Sequence, residues 1–212
     1  MTILLTGFEP FGGETINPSW QVAKTFHETT ICGQEVISIE LPCVFGLSVD
    51  VLTEAINAYS PSVILSIGQA GGRKELCFER VAINIDDARI ADNNGMQPVD
   101  VPVVADGPDA YFTNLPVKAI LASIRQLSID ASLSNSAGTY VCNHVFYALM
   151  HAVQGLDIRA GFAHIPYLPE QVIDKPDQAC MPMDKMIAGM RKALETAVNT
   201  KVDIKRNEGA LD

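Results

Sequence analysis

Apolar positions along the chain switch between two spacings, and the switches follow one another in order. "TILLTGF" (2–8) is a short continuous apolar run of the kind a buried strand makes. "NPSWQVAKTFHE" (17–28) opens on Asn-Pro, a helix-start signal. "EVISIELPCV" (35–44) alternates as a strand does, and Leu52, Ala55, Ile56 and Tyr59 then recur at helical spacing. "SVILSIG" (62–68) is a second buried-strand run. "ERVAINID" (79–86) alternates and predicts a strand with Val81, Ile83 and Ile85 on one face. Residues 92–114, rich in Asp, Asn, Gly and Pro, predict a long loop. Ile120, Leu121, Ile124 and Leu127 mark a helix, "ASLSN" (131–135) a short strand, and 142–154 another helix. "RAGFAHIPYL" (159–168) predicts a strand. Met183, Met186, Ile187, Met190, Leu194, Ala197 and Val198 predict a final helix. The tail "KRNEGALD" is polar and is expected to fray.

Strands alternating with helices predict an α/β fold: a three-layer α/β/α sandwich whose mostly parallel, mixed and twisted sheet carries helices on both faces. No repeat or linker interrupts the pattern, so residues 1–212 read as one domain with a polar tail from about 202. In open α/β sheets ligands bind beyond the carboxyl ends of the strands. The segments leaving such ends are "GFEPFGGETIN", "GQAGGRKELCFE", "GTYVCN" and "HIPYLPEQ".

Charge narrows the partners. The net charge is −10, which argues against nucleic acid or an anionic membrane surface. No segment approaches the roughly 20 apolar residues of a membrane helix. The first residues lack the basic start of a signal peptide, so a cytoplasmic setting is expected. Five cysteines (Cys32, Cys43, Cys77, Cys142 and Cys180) at wide, irregular spacings form no CxxC, and free thiols are expected.

The glycine clusters "GFEPFGG" and "GQAGG" match neither GxGxxG nor a P-loop, and tight turns account for them better than a nucleotide. Cys142 is a sharper feature. In "GTYVCNHVFYALM" it falls where a strand-like stretch meets a helix, and a helix start lowers a thiol pKa and offers N–H groups to an oxyanion. A buried cysteine filling space fits the same pattern. Of the four histidines, His144 points elsewhere on the helix, His151 falls about two turns on, and His27 ends an amphipathic helix. His164 lies at the carboxyl end of a strand, where either a base or a hydrogen-bonded core histidine belongs. Glu79, Asp86 and Asp87 are candidates to orient a base, and Glu79 could instead pair with Arg80 or Arg89. Cys142, His144 and His151 match no common zinc spacing.

Taken together, "TGFEPFGG…NPSW", "GQAGGR…ERVAIN…DDARI", "SAGTYVCNH.FY" and "GF.HIPYLPEQ" resemble the pyroglutamyl peptidase I family, in register from residue 1 to about 200. The resemblance implies a cytosolic cysteine peptidase on an α/β/α sandwich, commonly a homotetramer, that removes N-terminal pyroglutamate from peptides without metal or cofactor. It puts the catalytic cysteine at Cys142, the histidine at His164, the acid at Glu79 and an oxyanion-stabilising arginine at Arg89. It puts the lactam pocket at Phe8, Phe11, Asn17 and Gln69, with backbone from Tyr140 and Val141. A lactam carries no charge, so a flat apolar slot with neutral hydrogen-bonding groups suits it.

Overall fold

The computed structural model describes residues 1–209. In chain order the elements are β1 (Thr2–Phe8), α1 (Pro18–Ala23), β2 (Thr30–Ile31), β3 (Gln34–Leu41), α2 (Leu47–Tyr59), β4 (Val63–Gln69), β5 (Leu76–Glu79), β6 (Val81–Ile83), β7 (Ala110–Phe112), α3 (Val117–Arg125), β8 (Ala131–Ser134), α4 (Val141–Ala152), β9 (Arg159–Ile165) and α5 (Met183–Asn199). Seven strands form one sheet in the order β2-β3-β1-β4-β9-β5-β8. The central β3, β1, β4 and β9 are parallel, whereas β5 meets β9 antiparallel and β2 meets β3 antiparallel. The sheet is therefore mixed and mostly parallel, with helices on both faces.

Side-chain parity sorts the layers. Ile3 and Leu5 of β1 pack with α1, α3 and α5, while Leu4 packs with α2 and α4. Strands covered on both faces read as unbroken apolar runs, which is why β1 and β4 were plain in the sequence. Asn17 caps α1 by accepting from the Ser19 N–H, and Pro18 occupies the first turn, where a missing N–H costs nothing. Pro42 and Pro166 follow β3 and β9 and cannot donate to a continuing ladder, so these strands stop short of residues 44 and 168.

Several expectations change. The stretch 79–86 is not one strand. Glu79 ends β5 in the main sheet, and beyond Arg80 the chain leaves it to pair β6 with β7 in a separate ribbon. Ala82, not Val81 or Ile83, is the buried residue there, packing in the cluster formed by α4. Asn143 of α4 holds the ribbon in place, accepting from the Ile83 N–H (3.1 Å) and donating to the Ile83 and Ile85 carbonyls. The helix begun at Asn17 gives way to a 3-10 turn at Lys24–Phe26, and the expected loop 92–114 contains β7. The tail docks as far as it is described. The Asp203 carboxylate accepts from the Lys118 and Ala119 N–H groups (3.0 and 2.9 Å), capping an α3 whose own Pro116 cannot, and Glu208 pairs with Arg125 at 2.7 Å. Residues 210–212 lie outside the described residues.

β1 leads through α1 to β3 on one side, and β3 leads back through α2 to β4 on the other. Chain connections diverge between β1 and β4, which opens a crevice at their carboxyl ends. The loops after Phe8 and Gln69 flank it.

Candidate active site

Strand parity brings the candidate side chains to one face. Gly68 of β4 pairs in register with His164 of β9, so both point toward the α4 layer, as does Phe162 two residues earlier. Cys77 of β5 stands opposite His164, which places Glu79 diagonally across from it on the same face. Glu79 closes that diagonal with a hydrogen bond from His164 Nδ1 to its Oε1, 2.7 Å long. A carboxylate accepts, so Nδ1 carries a proton, and in the neutral ring the lone pair then lies on Nε2. Glu79 is fully buried, and Arg73 Nη1 reaches the same Oε1 at 3.1 Å while its Nη2 donates to the Ser136 carbonyl. Arg73 thus takes the partner role that the sequence offered to Arg80 or Arg89. Glu79 Oε2 is buried without a partner among the described residues.

Cys142 arrives from above. It is the second residue of α4, whose N-cap is Tyr140 and whose first hydrogen bond runs from the His144 N–H to the Tyr140 carbonyl. The N–H groups of Val141, Cys142 and Asn143 therefore lack partners within the helix. A Cβ built on Gly68 would stand 2.8 Å from Cys142 Sγ and 2.9 Å from Phe162 Cζ. The sulfur therefore rests on Gly68, beside the strand position that carries His164. Only glycine leaves this room. Gly68→Ala is expected to displace the sulfur and lower kcat/KM about 100-fold, because an ångström of misplacement costs on that order. Overpacking adds a loss of about 1–3 kcal/mol, readable as a lower Tm.

The thiol itself departs from expectation. Burial, then Cys43 and the Glu79 carboxylate, push the Cys142 pKa well above the ordinary thiol value, with Arg73 opposing. Burial acts against the helix start, and the thiol holds its proton more tightly than a free cysteine does. Cys43 is pushed up to about 12, again chiefly by burial, with Tyr140 opposing and Glu9 adding.

A cavity of about 570 Å³ lies at the crevice, lined among others by Phe11, Gln69, Gly71, Arg89, Ile90 and Tyr167. Cys142 and His164 are not in its lining; they sit behind Gly68, the residue before Gln69. Phe11 joins the two regions. It lines the cavity and packs with Tyr140 (ring centroids 6.0 Å apart), which in turn stands edge-on to Phe45 at 5.5 Å. Tyr140 and Cys142 share this cluster. Charges at the rim are partly paired off, since Lys175 bonds Glu14.

Several expected pocket residues lie off the wall of this cavity. Phe8 is buried in the core against Phe162 (6.3 Å) and is not on the cavity wall. Asn17 is also off the wall. Its Oδ1 accepts from the Ser19 N–H and hydroxyl, and its Nδ2 donates to the Glu9 carbonyl, which fixes the loop that carries Phe11. Val141 is wholly buried at the helix start. Arg89 is exposed on the cavity rim, held there because Asp87 and Thr139 exchange two hydrogen bonds and the Tyr140 hydroxyl donates to the Ala91 carbonyl. Ile90, beside it, was not anticipated.

The other histidines are occupied. His144 Nδ1 bonds Asp86 Oδ2 at 2.7 Å and its Nε2 accepts from the Gly46 N–H at 3.0 Å, so this second carboxylate–histidine pair positions the start of α2. Asp86 serves His144 and not His164. His151 bonds the Tyr111 hydroxyl.

An α/β sandwich with a cysteine at a helix start and a carboxylate–histidine pair at the adjoining strand ends has the build of a cysteine-type hydrolase. Comparison with known proteins makes the class specific. The pyroglutamyl peptidase family model matches residues 1–200. The pyrrolidone-carboxylate peptidase of Bacillus mycoides is 53% identical over 211 residues, covering 99% of this chain and 98% of that protein. Pyrrolidone-carboxylate peptidase 1 of Ralstonia nicotianae is 50% identical, with 99% of each chain covered. The crystal structure of pyroglutamyl peptidase I from Bacillus amyloliquefaciens superposes with a TM-score of 0.95 at 44% identity, covering 97% of this chain and 99% of the other. A mutant pyrrolidone carboxyl peptidase from the hyperthermophile Pyrococcus furiosus gives 0.90 at 40%, covering 93% and 98%. The chain belongs to the pyroglutamyl peptidase family of cysteine-type peptidases.

Proposed function

We propose that this enzyme removes an N-terminal pyroglutamyl residue from peptides through a Cys142–His164–Glu79 triad and a thioester intermediate. The observation that carries the reading is the stacking of Cys142 Sγ on Gly68, in register with a His164 that Glu79 holds at 2.7 Å. His164 Nε2 takes the Cys142 proton as the sulfur attacks the pyroglutamyl carbonyl carbon. The carbonyl oxygen becomes an oxyanion, met by the unpaired N–H groups at the start of α4 and by Arg89 from the rim. Collapse breaks the C–N bond, and His164 returns its proton to the leaving amine. Water, deprotonated by His164, then cleaves the thioester and frees pyroglutamate and the thiol. Glu79 steadies the imidazolium throughout. Phe11 supplies an apolar wall, and Gln69 a neutral hydrogen-bonding group for the lactam, with Tyr140 and Val141 backbone beside the nucleophile. Asn17 and Phe8 support this pocket from beneath.

Purified protein is expected to release aminomethylcoumarin from its pyroglutamyl amide, to stop after iodoacetamide treatment and to be indifferent to EDTA. No release, or release that survives complete alkylation, would overturn the reading.

The assembly belongs to the same proposal. Val99 and Phe112 are 66% and 68% exposed, and Met96 and Val101 are also exposed, all within residues 96–112. Large exposed apolar side chains in one segment fit a subunit contact, and the family resemblance implies a homotetramer. Light scattering on eluted protein is expected to give four times the chain mass; a monomer at micromolar concentration would refute it. A cytoplasmic location accords with a catalytic thiol that reducing conditions keep free. Among the described residues no helix is long and apolar enough to cross a membrane.

A further inference from the structure

The 3-10 turn Pro169–Val172 that follows β9 carries Gln171, a buried residue for which the triad has no use. Its side chain is fully engaged. Oε1 accepts from the Leu168 N–H at 2.9 Å. Nε2 donates to Gln69 Oε1 at 2.9 Å, and more loosely to Glu14 Oε2 at 3.3 Å and the Ile16 carbonyl at 3.4 Å. Amide oxygens and nitrogens are normally assigned from their surroundings. Here the surroundings leave one answer. A backbone N–H can only donate, so the Leu168 N–H demands the oxygen of Gln171. That leaves the Gln171 nitrogen facing Gln69, and a nitrogen donor demands the Gln69 oxygen. Gln69, on the cavity wall, is thereby left with its Nε2 free of protein partners among the described residues.

We infer that Gln171 is a positioning residue that sets the polarity of Gln69, so that the pocket presents an amide N–H donor and therefore selects a ring bearing a carbonyl acceptor. The inference rests on the pyroglutamyl reading of the cavity and adds to it the direction of one hydrogen bond. The relay runs from the Leu168 N–H through Gln171 and Gln69 to the lactam oxygen, every link donor to acceptor. Were Gln69 free to turn, its two ends would compete for the lactam, and the discrimination against a carbonyl-free ring would weaken. A pocket that hydrogen-bonds a substrate group rejects analogues lacking it far more sharply than an apolar pocket rejects a change of size.

The test uses two variants that separate polarity from support. Gln171→Glu keeps an oxygen for the Leu168 N–H but cannot donate to Gln69, which must then turn and show its oxygen to the cavity. Gln171→Met removes both bonds at similar volume. Each is made in the wild-type and the Gln69→Ala background and assayed on the pyroglutamyl coumarin amide, alongside the Cys142 alkylation rate. Both single variants are expected to raise KM about 10- to 100-fold with kcat changed less than threefold and alkylation unchanged. In the Gln69→Ala background neither should add more than about twofold, since contacting residues that act as a unit are non-additive. If Gln171 merely supported the turn, Gln171→Glu would restore what Gln171→Met loses; that rescue, or full additivity with Gln69→Ala, would overturn the inference. Wild-type protein inert toward the pyroglutamyl substrate would instead overturn the peptidase reading, and this inference with it.

Discussion

Cys142→Ala is expected to lower kcat/KM on a pyroglutamyl substrate by about four orders of magnitude or more while leaving the fold standing. The side chain is small and half-buried, and truncating it removes one sulfur over Gly68, costing on the order of 1 kcal/mol. The activity loss therefore belongs to chemistry. Cys142→Ser should fall nearly as far, because a hydroxyl gives up its proton to an imidazole less readily than a thiol does. Circular dichroism and Tm close to wild type, beside lost turnover, would carry the assignment; turnover within tenfold of wild type would remove Cys142 as nucleophile. The raised thiol pKa adds a pH signature. Cys43 and Cys142 hold their protons more tightly folded than unfolded, since burial raises both above the ordinary value of 9.0. Their stabilising contribution is then complete below about pH 9 and is lost as the pH rises further, where the unfolded chain sheds protons that the folded chain keeps. A Cys43→Ala, Cys142→Ala double variant should show a shallower fall of Tm between pH 8 and 10.

The parts of this site that the sequence disclosed are those with a long-range pattern behind them. Cys142 stood at the junction of two periodicities, and His164 at the end of an apolar run, so each had a position in the layer before it had a partner. What joined them was not in any window. β5 is four residues long, too short for alternation to separate it from the glycine-rich loop before it, yet it alone brings Glu79 to His164. Arg73 gives no signal of its role in the sequence, because its partner Glu79 stands at the far end of β5. Phe8 and Phe11, three apart in the sequence, looked equivalent, but Phe8 ends β1 and turns into the core while the cap at Asn17 fixes the loop that brings Phe11 to the cavity. Asn143 and Gln171 give no periodic signal at all. Polar residues that hold other groups in place are legible only once their partners have positions, because a hydrogen bond carries no sequence spacing.

The same coupling makes Glu79→Gln the most informative change at the site. Arg73 Nη1 can only donate, so glutamine keeps its oxygen toward Arg73 and His164 Nδ1 and places its amide nitrogen where Glu79 Oε2 lies without a partner among the described residues. A neutral amide no longer stabilises the imidazolium, and His164 becomes a weaker base for the thiol. A fall in kcat of about 10²-fold or more is expected, with KM little changed, because Glu79 is buried away from the cavity wall. Arg73, 27% exposed, loses its ion-pair partner, and stability should drop by about 3 kcal/mol. The thiol should move the other way. The Glu79 charge is among the causes that raise the Cys142 pKa and Arg73 opposes it, so neutralising Glu79 frees the Arg73 effect and lowers the pKa. At a fixed pH near 8 the variant should therefore react faster with iodoacetamide while turning over substrate far more slowly. A purely structural role for Glu79 would slow both together. Parallel slowing, or turnover within tenfold of wild type, would take Glu79 out of the triad and leave His164 to be oriented by the strand alone.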